Sequence, residues 1–332
     1  MKSHVYHATL TDAGRLLGGM LVPVILFALL LRLGSAGGIL PAPWPAWDVD
    51  HTILTHQIEA SRSPSDADVL FIGDSSCLMD FSGKGLETML AGRHRIINLG
   101  SLSYLGLNGY AAMLSRYATV NPGRLRTVVV LLHPEMLRGI TPVAQYLLFV
   151  SDSYAGADQS QAETGEDQLR GLLGLGIFQG RFLSRVPLPL PGPYGFYYGF
   201  TRDLYHFMDQ EKGSAIDPHQ FVRHPGQGNA EYRLAPSWQS GCQAFKAAVP
   251  SGVKLVVGIT PVPQSFAPPD YAPHWSRILA QWGQWMQADM LLTELPPTLP
   301  DAWFASTTHL NGTGASHYTT ILARCLKTRS EP

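Results

Sequence analysis

Charge is scarce in this chain, and neither sign is in surplus. Lysine and arginine number 24, aspartate and glutamate number 25, and the formal net charge is −1. No lysine or arginine cluster runs along a predicted helix, so the sequence lacks the basic surface that nucleic-acid binding needs. Internal repeats and low-complexity tracts are also absent, which excludes a repeat architecture. We therefore predict no nucleic-acid partner.

Cysteine is also rare. Of the three cysteines, Cys242 and Cys325 each fall in a predicted helix and can pair in an oxidising compartment, while Cys77 is expected to pack in the core. The alternative is three buried free thiols. Histidine, cysteine and carboxylate side chains do not recur at metal-ligand spacing, and His317 follows His309 inside the predicted last helix. We predict neither a metal ion nor another cofactor.

A long uncharged apolar run lies near the N-terminus, at residues 16–31 between Arg15 and Arg32. As a helix it spans about 24 Å, slightly less than the roughly 30 Å hydrocarbon layer, so either Arg32 must reach toward the membrane interface or the bilayer must thin. Lys2 and Arg15 precede the run, which favours a cytoplasmic N-terminus. We predict a single-pass anchor in the inner membrane, with the remaining chain in the periplasm.

The competing interpretation of this run is a cleaved signal peptide, with Gly34, Ser35 and Ala36 as the cleavage site. Arg32 between the apolar run and that site is unusual for a signal peptide, so we favour the anchor. The predicted organisation is a cytoplasmic tail at 1–15, an anchor at 16–40, a proline- and tryptophan-rich linker at 41–65, and a globular domain at 66–328 with an insertion at 140–235.

The globular part alternates short apolar runs with amphipathic stretches. This alternation predicts βαβ units and a parallel sheet, and the length suffices for one large α/β domain with an insertion. Predicted strands cover 68–73, 94–98, 126–132, 254–259 and 290–293; predicted helices cover 83–91, 107–119, 238–248, 274–288 and 313–327.

The insertion is the least informative part of the sequence. Residues 151–168 are polar and acidic, which favours a surface loop or a partly disordered segment. Residues 188–200 place aromatic side chains among prolines and glycines, which is compatible with a carbohydrate platform, a membrane-resting flap, a docking surface or a buried irregular loop. We expect four of these aromatics to need a cover of membrane, glycan or partner protein: Tyr194, Phe196, Tyr197 and Tyr198.

A candidate nucleophile follows the first predicted strand. The apolar residues 69–72 run directly into Gly73, Asp74 and Ser75. Because parallel strands present their sites at their carboxyl ends, Ser75 is expected to be exposed at the sheet edge. Asp74 is expected to hold the turn by accepting hydrogen bonds from nearby backbone amides. The tripeptide occurs by chance in other chains, so its weight comes from two further features.

These two features are a late histidine and a glycine after the second strand. His309 leads into a turn and the last predicted helix, and a nucleophilic serine needs such a base. Gly100 follows the strand that ends at Asn98, where its backbone amide can face an oxyanion.

The order of Gly73-Asp74-Ser75, Gly100 and His309 resembles the SGNH (GDSL-type) hydrolase superfamily. The chain is most similar to its membrane-anchored branch, which includes alginate O-acetyltransferase proteins and the D-alanyl transfer protein of teichoic acid synthesis. The resemblance spans about 66–328 and implies a three-layer α/β sandwich with a parallel sheet. It implies Ser75 as nucleophile, His309 as base, and the Ser75 and Gly100 amides as oxyanion donors.

Two positions depart from that family's pattern. Where the family has an asparagine that donates to the oxyanion, this chain has His133 and then Pro134 and Glu135, so His133 is a candidate replacement. Where the family has an aspartate three residues before the histidine, this chain has Ser306. The site is then a Ser-His dyad, unless Glu135 or Asp301 supplies the carboxylate.

The resemblance implies serine-dependent O-acyl transfer, acetyl above all, to an exported polysaccharide or cell-envelope glycan. A multi-spanning membrane-bound O-acyltransferase is the implied acyl source. The alternatives are a carbohydrate acetyl esterase, and a weakly active or inactive scaffold or glycan-binding subunit, which the residues at 133 and 306 favour.

Overall fold

A computed structural model describes residues 9–36, 49–139, 142–159, 200, 204–216 and 232–327. These residues divide between two units. The first contains helix α1 (Leu10–Ala36), and the second contains the sheet and the helices packed with it.

Helix α1 is 27 residues long and contains Pro23. Its first turn is capped reciprocally, since the Asp12 carboxylate accepts the Thr9 amide at 3.1 Å and the Thr9 hydroxyl oxygen accepts the Asp12 amide at 3.2 Å. Apolar side chains along it are exposed, among them Leu16 and Met20. Within the described residues, the structure contains no helix whose length and apolarity suffice to cross a membrane.

The second unit is built on a five-stranded parallel sheet in the order β2-β1-β3-β4-β6. The strands are β1 (Val69–Gly73), β2 (Ile96–Asn98), β3 (Thr127–Leu132), β4 (Lys254–Ile259) and β6 (Met290–Leu291). The central strands are almost entirely buried, as expected for continuous apolar runs covered on both faces. The predicted α/β class with a parallel sheet is confirmed. A separate two-stranded sheet pairs β5 (Val262–Pro263) with β7 (Thr298–Leu299).

The helices form two packed groups, an arrangement compatible with a three-layer sandwich. The helices of this unit are α2 (Val49–Arg62), α3 (Ser75–Met79), α4 (Gly83–Met89), α5 (Gly106–Val120), α6 (Ala144–Gln159), α7 (Leu204–Gln210), α8 (Trp238–Ala248), α9 (Tyr271–Met286) and α10 (Gly312–Lys327). In one group, α5 packs against α2 and α8, and α8 packs against α9. In the other group, α4 packs against α10. The ten predicted strands and helices agree with these bounds to within about three residues.

Helix α2 corrects the predicted linker at 41–65. Its side chains Ile53, Leu54 and Ile58 are buried and pack toward α5 and α7. Apolar residues at positions i, i+1 and i+5 present one helical face, a signal that the tryptophans and prolines upstream obscured. Residues 49–62 therefore belong to the globular domain.

The insertion also contains regular structure that the sequence did not predict. Helix α6 extends through residues 151–159, so this part of the predicted acidic loop is helical. Residues 204–216 form α7 and a turn that supports the sheet edge, because the Asn98 amide donates to the Lys212 carbonyl at 2.8 Å. The aromatic cluster at 194–198 lies outside the described residues, whereas Phe200 is buried.

The thiols of Cys77, Cys242 and Cys325 are buried, and none of them forms a disulfide bond. The structure therefore supports the second alternative for the cysteines, and a Cys242–Cys325 disulfide is wrong. Burial raises the pKa of Cys242 to about 12, which keeps this thiol protonated and unreactive near neutral pH.

Candidate active site

Strand β1 ends in a turn that only glycine can start. A Cβ atom at Gly73 would lie 1.8 Å from the Leu131 carbonyl oxygen. The next residue, Asp74, caps helix α3: its Oδ1 accepts the Ser76 amide at 3.0 Å and the Ser76 hydroxyl at 2.6 Å. The predicted turn-holding role of Asp74 is confirmed, and Ser75 becomes the first residue of α3.

Asp74 also joins two strand ends. Its Oδ2 accepts the His133 amide at 2.8 Å, and this links the end of β1 to the end of β3. Burial raises the pKa of Asp74, and the hydrogen bonds from Ser76 and His133 oppose that rise. Every oxygen contact described for this carboxylate thus supports the turn that presents Ser75.

Ser75 and His309 meet although 234 positions separate them: the Ser75 Oγ lies 2.8 Å from the His309 Nε2. Ser75 is half-buried, and His309 is 4% exposed. Burial lowers the pKa of His309 to about 4. The imidazole is therefore neutral near pH 7 and can accept the serine proton.

A buried carboxyl group fixes the loop that carries His309. Asp80, at the end of α3, accepts the Leu310 amide at 2.9 Å. Burial raises the pKa of Asp80 well above its ordinary value. Sequence reasoning missed this residue, because nothing local connects position 80 with position 310.

Hydroxyl groups contact the other ring nitrogen of His309. Thr308 Oγ1 lies 3.0 Å and Ser306 Oγ 3.3 Å from Nδ1. Ser306 Oγ also accepts the His309 amide at 3.1 Å, so it shapes the loop as well. The sequence had singled out Ser306 but not Thr308.

The two carboxylates considered as substitutes have their described contacts elsewhere. Asp301 accepts the Ser265 amide at 2.9 Å. Glu135 is half-buried, and burial raises its pKa while the nearby Arg138 opposes the rise. The described partner of the Asp301 carboxylate is therefore Ser265, and the described charged neighbour of Glu135 is Arg138.

Gly100 lies in a tight space behind α3. A Cβ atom there would come within 2.5 Å of the Leu78 amide nitrogen. Its carbonyl accepts the Gln57 side-chain amide at 2.6 Å, and its own amide donates to Asn98 Oδ1 at 2.8 Å. The amide expected to face an oxyanion is thus bonded to Asn98, because that side chain folds back over the loop.

His133 is buried at the carboxyl end of β3, where it is 3% exposed. Its Nδ1 accepts the Glu135 amide at 3.3 Å, so the proton of the neutral ring is on Nε2. Within the described residues, the buried Nε2 has no hydrogen-bond partner. Burial, and secondarily the proximity of His309, lower the pKa of His133 to about 3. His133 therefore carries a neutral N–H donor that is buried and unpaired among the described residues.

A small cavity adjoins Ser75 and His309. Its volume is about 20 Å³, room for a group about the size of a water molecule. Asp50, Ser103 and Tyr104 also line it. The apolar part of the wall comes from α2, α3 and two loops: Val49, Ile53, Leu78, Met79, Leu102 and Phe200. Sequence reasoning missed the contribution of α2, since it assigned those residues to a linker.

The described side chains include one pair suited to proton transfer, Ser75 and His309. They include no cluster of three side chains that could bind a metal ion. No model of a known protein family and no curated protein sequence matches the chain. The features that bear on function are the contact between Ser75 and His309, the cavity that these two residues line, and the unpaired Nε2 of His133.

Proposed function

We propose that this chain is a serine-dependent O-acyltransferase that moves a small acyl group, such as acetyl, onto a hydroxyl group of a glycan. The 2.8 Å contact between Ser75 Oγ and His309 Nε2 carries this proposal. A neutral histidine next to a serine at the amino end of a helix is the arrangement that nucleophilic catalysis needs. The SGNH resemblance of the motifs supports the same reaction class.

The first half-reaction loads Ser75. His309 Nε2 takes the Ser75 proton while Oγ forms a bond to the acyl carbon of an oxygen ester. The bond from that carbon to the leaving oxygen then breaks, and His309 returns the proton to the leaving group. In the second half-reaction a glycan hydroxyl gives its proton to His309 and attacks the acyl carbon. The bond to Oγ breaks, and Ser75 recovers its proton.

The negative oxygen that forms in each half-reaction needs hydrogen-bond donors. We assign this role to His133 Nε2–H, together with the Ser75 backbone amide. A buried donor without a ground-state partner is costly, and it becomes stabilising when an oxyanion develops beside it. His133 therefore takes the place of the asparagine in the SGNH resemblance.

Trapping the acyl-enzyme tests the proposal. After brief exposure of the purified full-length protein to para-nitrophenyl acetate at neutral pH and an acid quench, mass spectrometry of its peptides should find acetylation on Ser75. A slow deacylation step, expected if the natural acceptor is absent, favours its accumulation. Modification confined to surface lysines would contradict the proposal.

Two other functions have support in particular residues. The hydroxyls at His309 Nδ1 cannot stabilise an imidazolium as a carboxylate does, which favours a weakly active or inactive scaffold or glycan-binding subunit. A carbohydrate acetyl esterase uses the same site with water as acceptor.

Restoring a carboxylate at position 306 tests the dyad. Ser306→Asp should raise kcat/KM about tenfold or more at neutral pH, because the carboxylate stabilises the imidazolium. The same charge raises the pKa of His309, so the acid limb of the pH–rate profile, expected near pH 4 in the unsubstituted protein, should move to higher pH. The measurement is ester hydrolysis from pH 3 to pH 8.

The control for this substitution is Glu135→Gln. If Glu135→Gln abolishes activity and Ser306→Asp changes neither the rate nor the acid limb, Glu135 orients His309 and the dyad is wrong.

We propose that residues 16–40 anchor the protein in the inner membrane, with the sheet-containing unit in the periplasm. The uncharged run and the exposed apolar side chains of α1 support this. By the SGNH resemblance, a membrane-bound O-acyltransferase supplies the acyl group and an exported polysaccharide accepts it.

Membrane fractionation tests the anchor. The full chain should remain in the membrane pellet after carbonate washing, and periplasmic protease should reach the sheet-containing unit. A soluble protein whose N-terminus follows Ala36 would contradict the anchor and make a periplasmic esterase the better assignment.

A further inference from the structure

A buried carboxyl group close to the reacting pair has no part in the proposed chemistry. Asp80 ends helix α3, which Ser75 begins, and the Asp80 backbone amide donates to the Ser76 carbonyl at 2.9 Å. The Cα atoms of Ser75 and Asp80 are separated by about 7.5 Å of rise along such a helix. The nucleophile and this carboxyl group are therefore held at the two ends of one short helix.

The loop that carries His309 is tied to itself. The Ala305 amide donates to the His309 carbonyl at 2.9 Å, and Phe304 and Leu310 pair in an antiparallel bridge. Because these bonds join the two sides of the loop, a bond at Leu310 also restrains His309. Asp80 makes that bond, since its Oδ1 accepts the Leu310 amide at 2.9 Å.

The other oxygen of Asp80 bears on the charge of the group. Oδ2 is buried and has no hydrogen-bond partner among the described residues. A negative charge without a partner costs far more in a protein core than a neutral acid does. Burial raises the pKa of Asp80 well above its ordinary value; the bond from Leu310 opposes this rise, and the nearby Asp74 adds to it. Burial and the unpaired oxygen thus both favour the uncharged acid.

The titratable groups around Asp80 do not offset its ionisation. Asp74 and Cys77 belong to the same turn and helix, and Tyr318 belongs to α10. Burial lowers the pKa of His309 to about 4, so this ring is neutral near pH 7. None of these four groups supplies a positive charge at that pH. A neutral carboxyl group still has a carbonyl oxygen that accepts an amide, so the bond to the loop does not require the charge.

We propose that Asp80 is a positioning residue for the base: its uncharged carboxyl group holds His309 within reach of Ser75 through the Leu310 amide. This inference rests on the proposed acyl transfer and adds the group that sets the geometry of its proton transfer. The proton passes between Ser75 Oγ and His309 Nε2, which lie 2.8 Å apart. A displacement of about 1 Å in such a pair can lower a rate about a hundredfold.

Two variants separate the acceptor oxygen from the volume of the side chain. Asp80→Asn keeps an oxygen that can accept the Leu310 amide, and it should retain most of kcat. Asp80→Leu has a similar volume but no acceptor, and it should lower kcat about a hundredfold. Its KM should change little, because Asp80 is not among the residues that line the cavity. The measurement is steady-state hydrolysis of para-nitrophenyl acetate by the purified full-length protein. Asp80→Ala, which also lacks the acceptor, replaces Asp80→Leu if that variant fails to fold.

Asp289 offers matched controls, because its Oδ2 likewise accepts a backbone amide from a distant segment, that of Leu255 at 2.7 Å. This bond lies at the amino end of β4, whereas the candidate site lies at the carboxyl ends of the strands. Asp289→Asn and Asp289→Leu should leave kcat unchanged, even if Asp289→Leu lowers the melting temperature.

The pH dependence of stability tests the charge of Asp80. An unfolded aspartate loses its proton near about pH 4, whereas the folded acid keeps it. The stabilising contribution of the neutral acid is therefore complete below about pH 4 and is lost as the pH rises toward the pKa of the folded-state carboxyl group. Relative to Asp80→Asn, the folding equilibrium constant of the unsubstituted protein should fall by up to about tenfold per pH unit in that range. Urea denaturation from pH 4 to pH 8 measures both proteins.

Each possible error gives a different result. An unchanged kcat in folded Asp80→Leu overturns the positioning role and leaves the serine chemistry intact. Equal losses of kcat in Asp80→Asn and Asp80→Leu also overturn it, because the acceptor oxygen is then not the group that matters. A stability difference that does not vary with pH overturns the uncharged form. Absence of turnover in the unsubstituted protein overturns the acyl transfer and the positioning role with it, while the urea measurement still decides the charge of Asp80.

Discussion

Replacing Ser75 by alanine is expected to lower acetyl ester turnover at least about a thousandfold. In the proposed reaction, the Ser75 hydroxyl, which lies 2.8 Å from His309, forms the bond to the acyl group, and alanine has no hydroxyl to replace it. The substitution removes one half-buried hydroxyl, and the Asp74 bonds to Ser76 that hold the turn remain. The fold should therefore persist, and para-nitrophenyl acetate hydrolysis measures the loss.

The control for this variant is Ser240→Ala, at an exposed position on α8, which should retain full activity. Circular dichroism and thermal melting establish that both variants fold. Near-normal turnover by a folded Ser75→Ala protein would show that Ser75 is not the nucleophile, and the scaffold alternative would then gain.

Replacing His133 by alanine is expected to lower kcat about a hundredfold to a thousandfold with little change in KM. Nε2–H is buried and unpaired among the described residues, so in the proposed reaction its hydrogen bond forms only with the oxyanion. The backbone amide that donates to Asp74 remains in the variant. Steady-state kinetics with an acetyl ester separate kcat from KM.

His133→Asn distinguishes a hydrogen-bond donor role from a structural role. The side-chain amide of asparagine can still donate a hydrogen bond, so this variant should recover part of the kcat that His133→Ala loses. The exposed His206, replaced by alanine, serves as the control and should change neither constant. If both variants at position 133 raise KM and leave kcat unchanged, the residue contacts substrate in its ground state and the oxyanion assignment fails.

Local sequence was sufficient to predict the sheet and most of the helices around it. The runs in β1, β3 and β4 are apolar at nearly every position, and a parallel strand buried on both faces requires that pattern whatever its neighbours are. The turn at Gly73 and Asp74 is equally local, because the carboxylate caps the helix that follows it within three residues.

Ser75 and His309 were also singled out from the sequence, but only because their motifs occur along the chain in the order that the SGNH resemblance requires. Their contact depends on the sheet edge and on Asp80, whose carboxyl group holds the Leu310 amide. That bond joins residues 230 positions apart, and no periodicity or spacing in the chain encodes it.

Tertiary structure alone decided the environment of the reacting groups. The side chain of Asn98 binds the Gly100 amide, the Glu135 amide sets the tautomer of His133, and α2 brings Asp50 to the cavity. Each of these facts depends on which group lies within hydrogen-bond distance after the chain folds. A sequence determines apolar patterning and caps through neighbours along the chain, whereas burial, tautomer and cavity shape arise from contacts between distant segments.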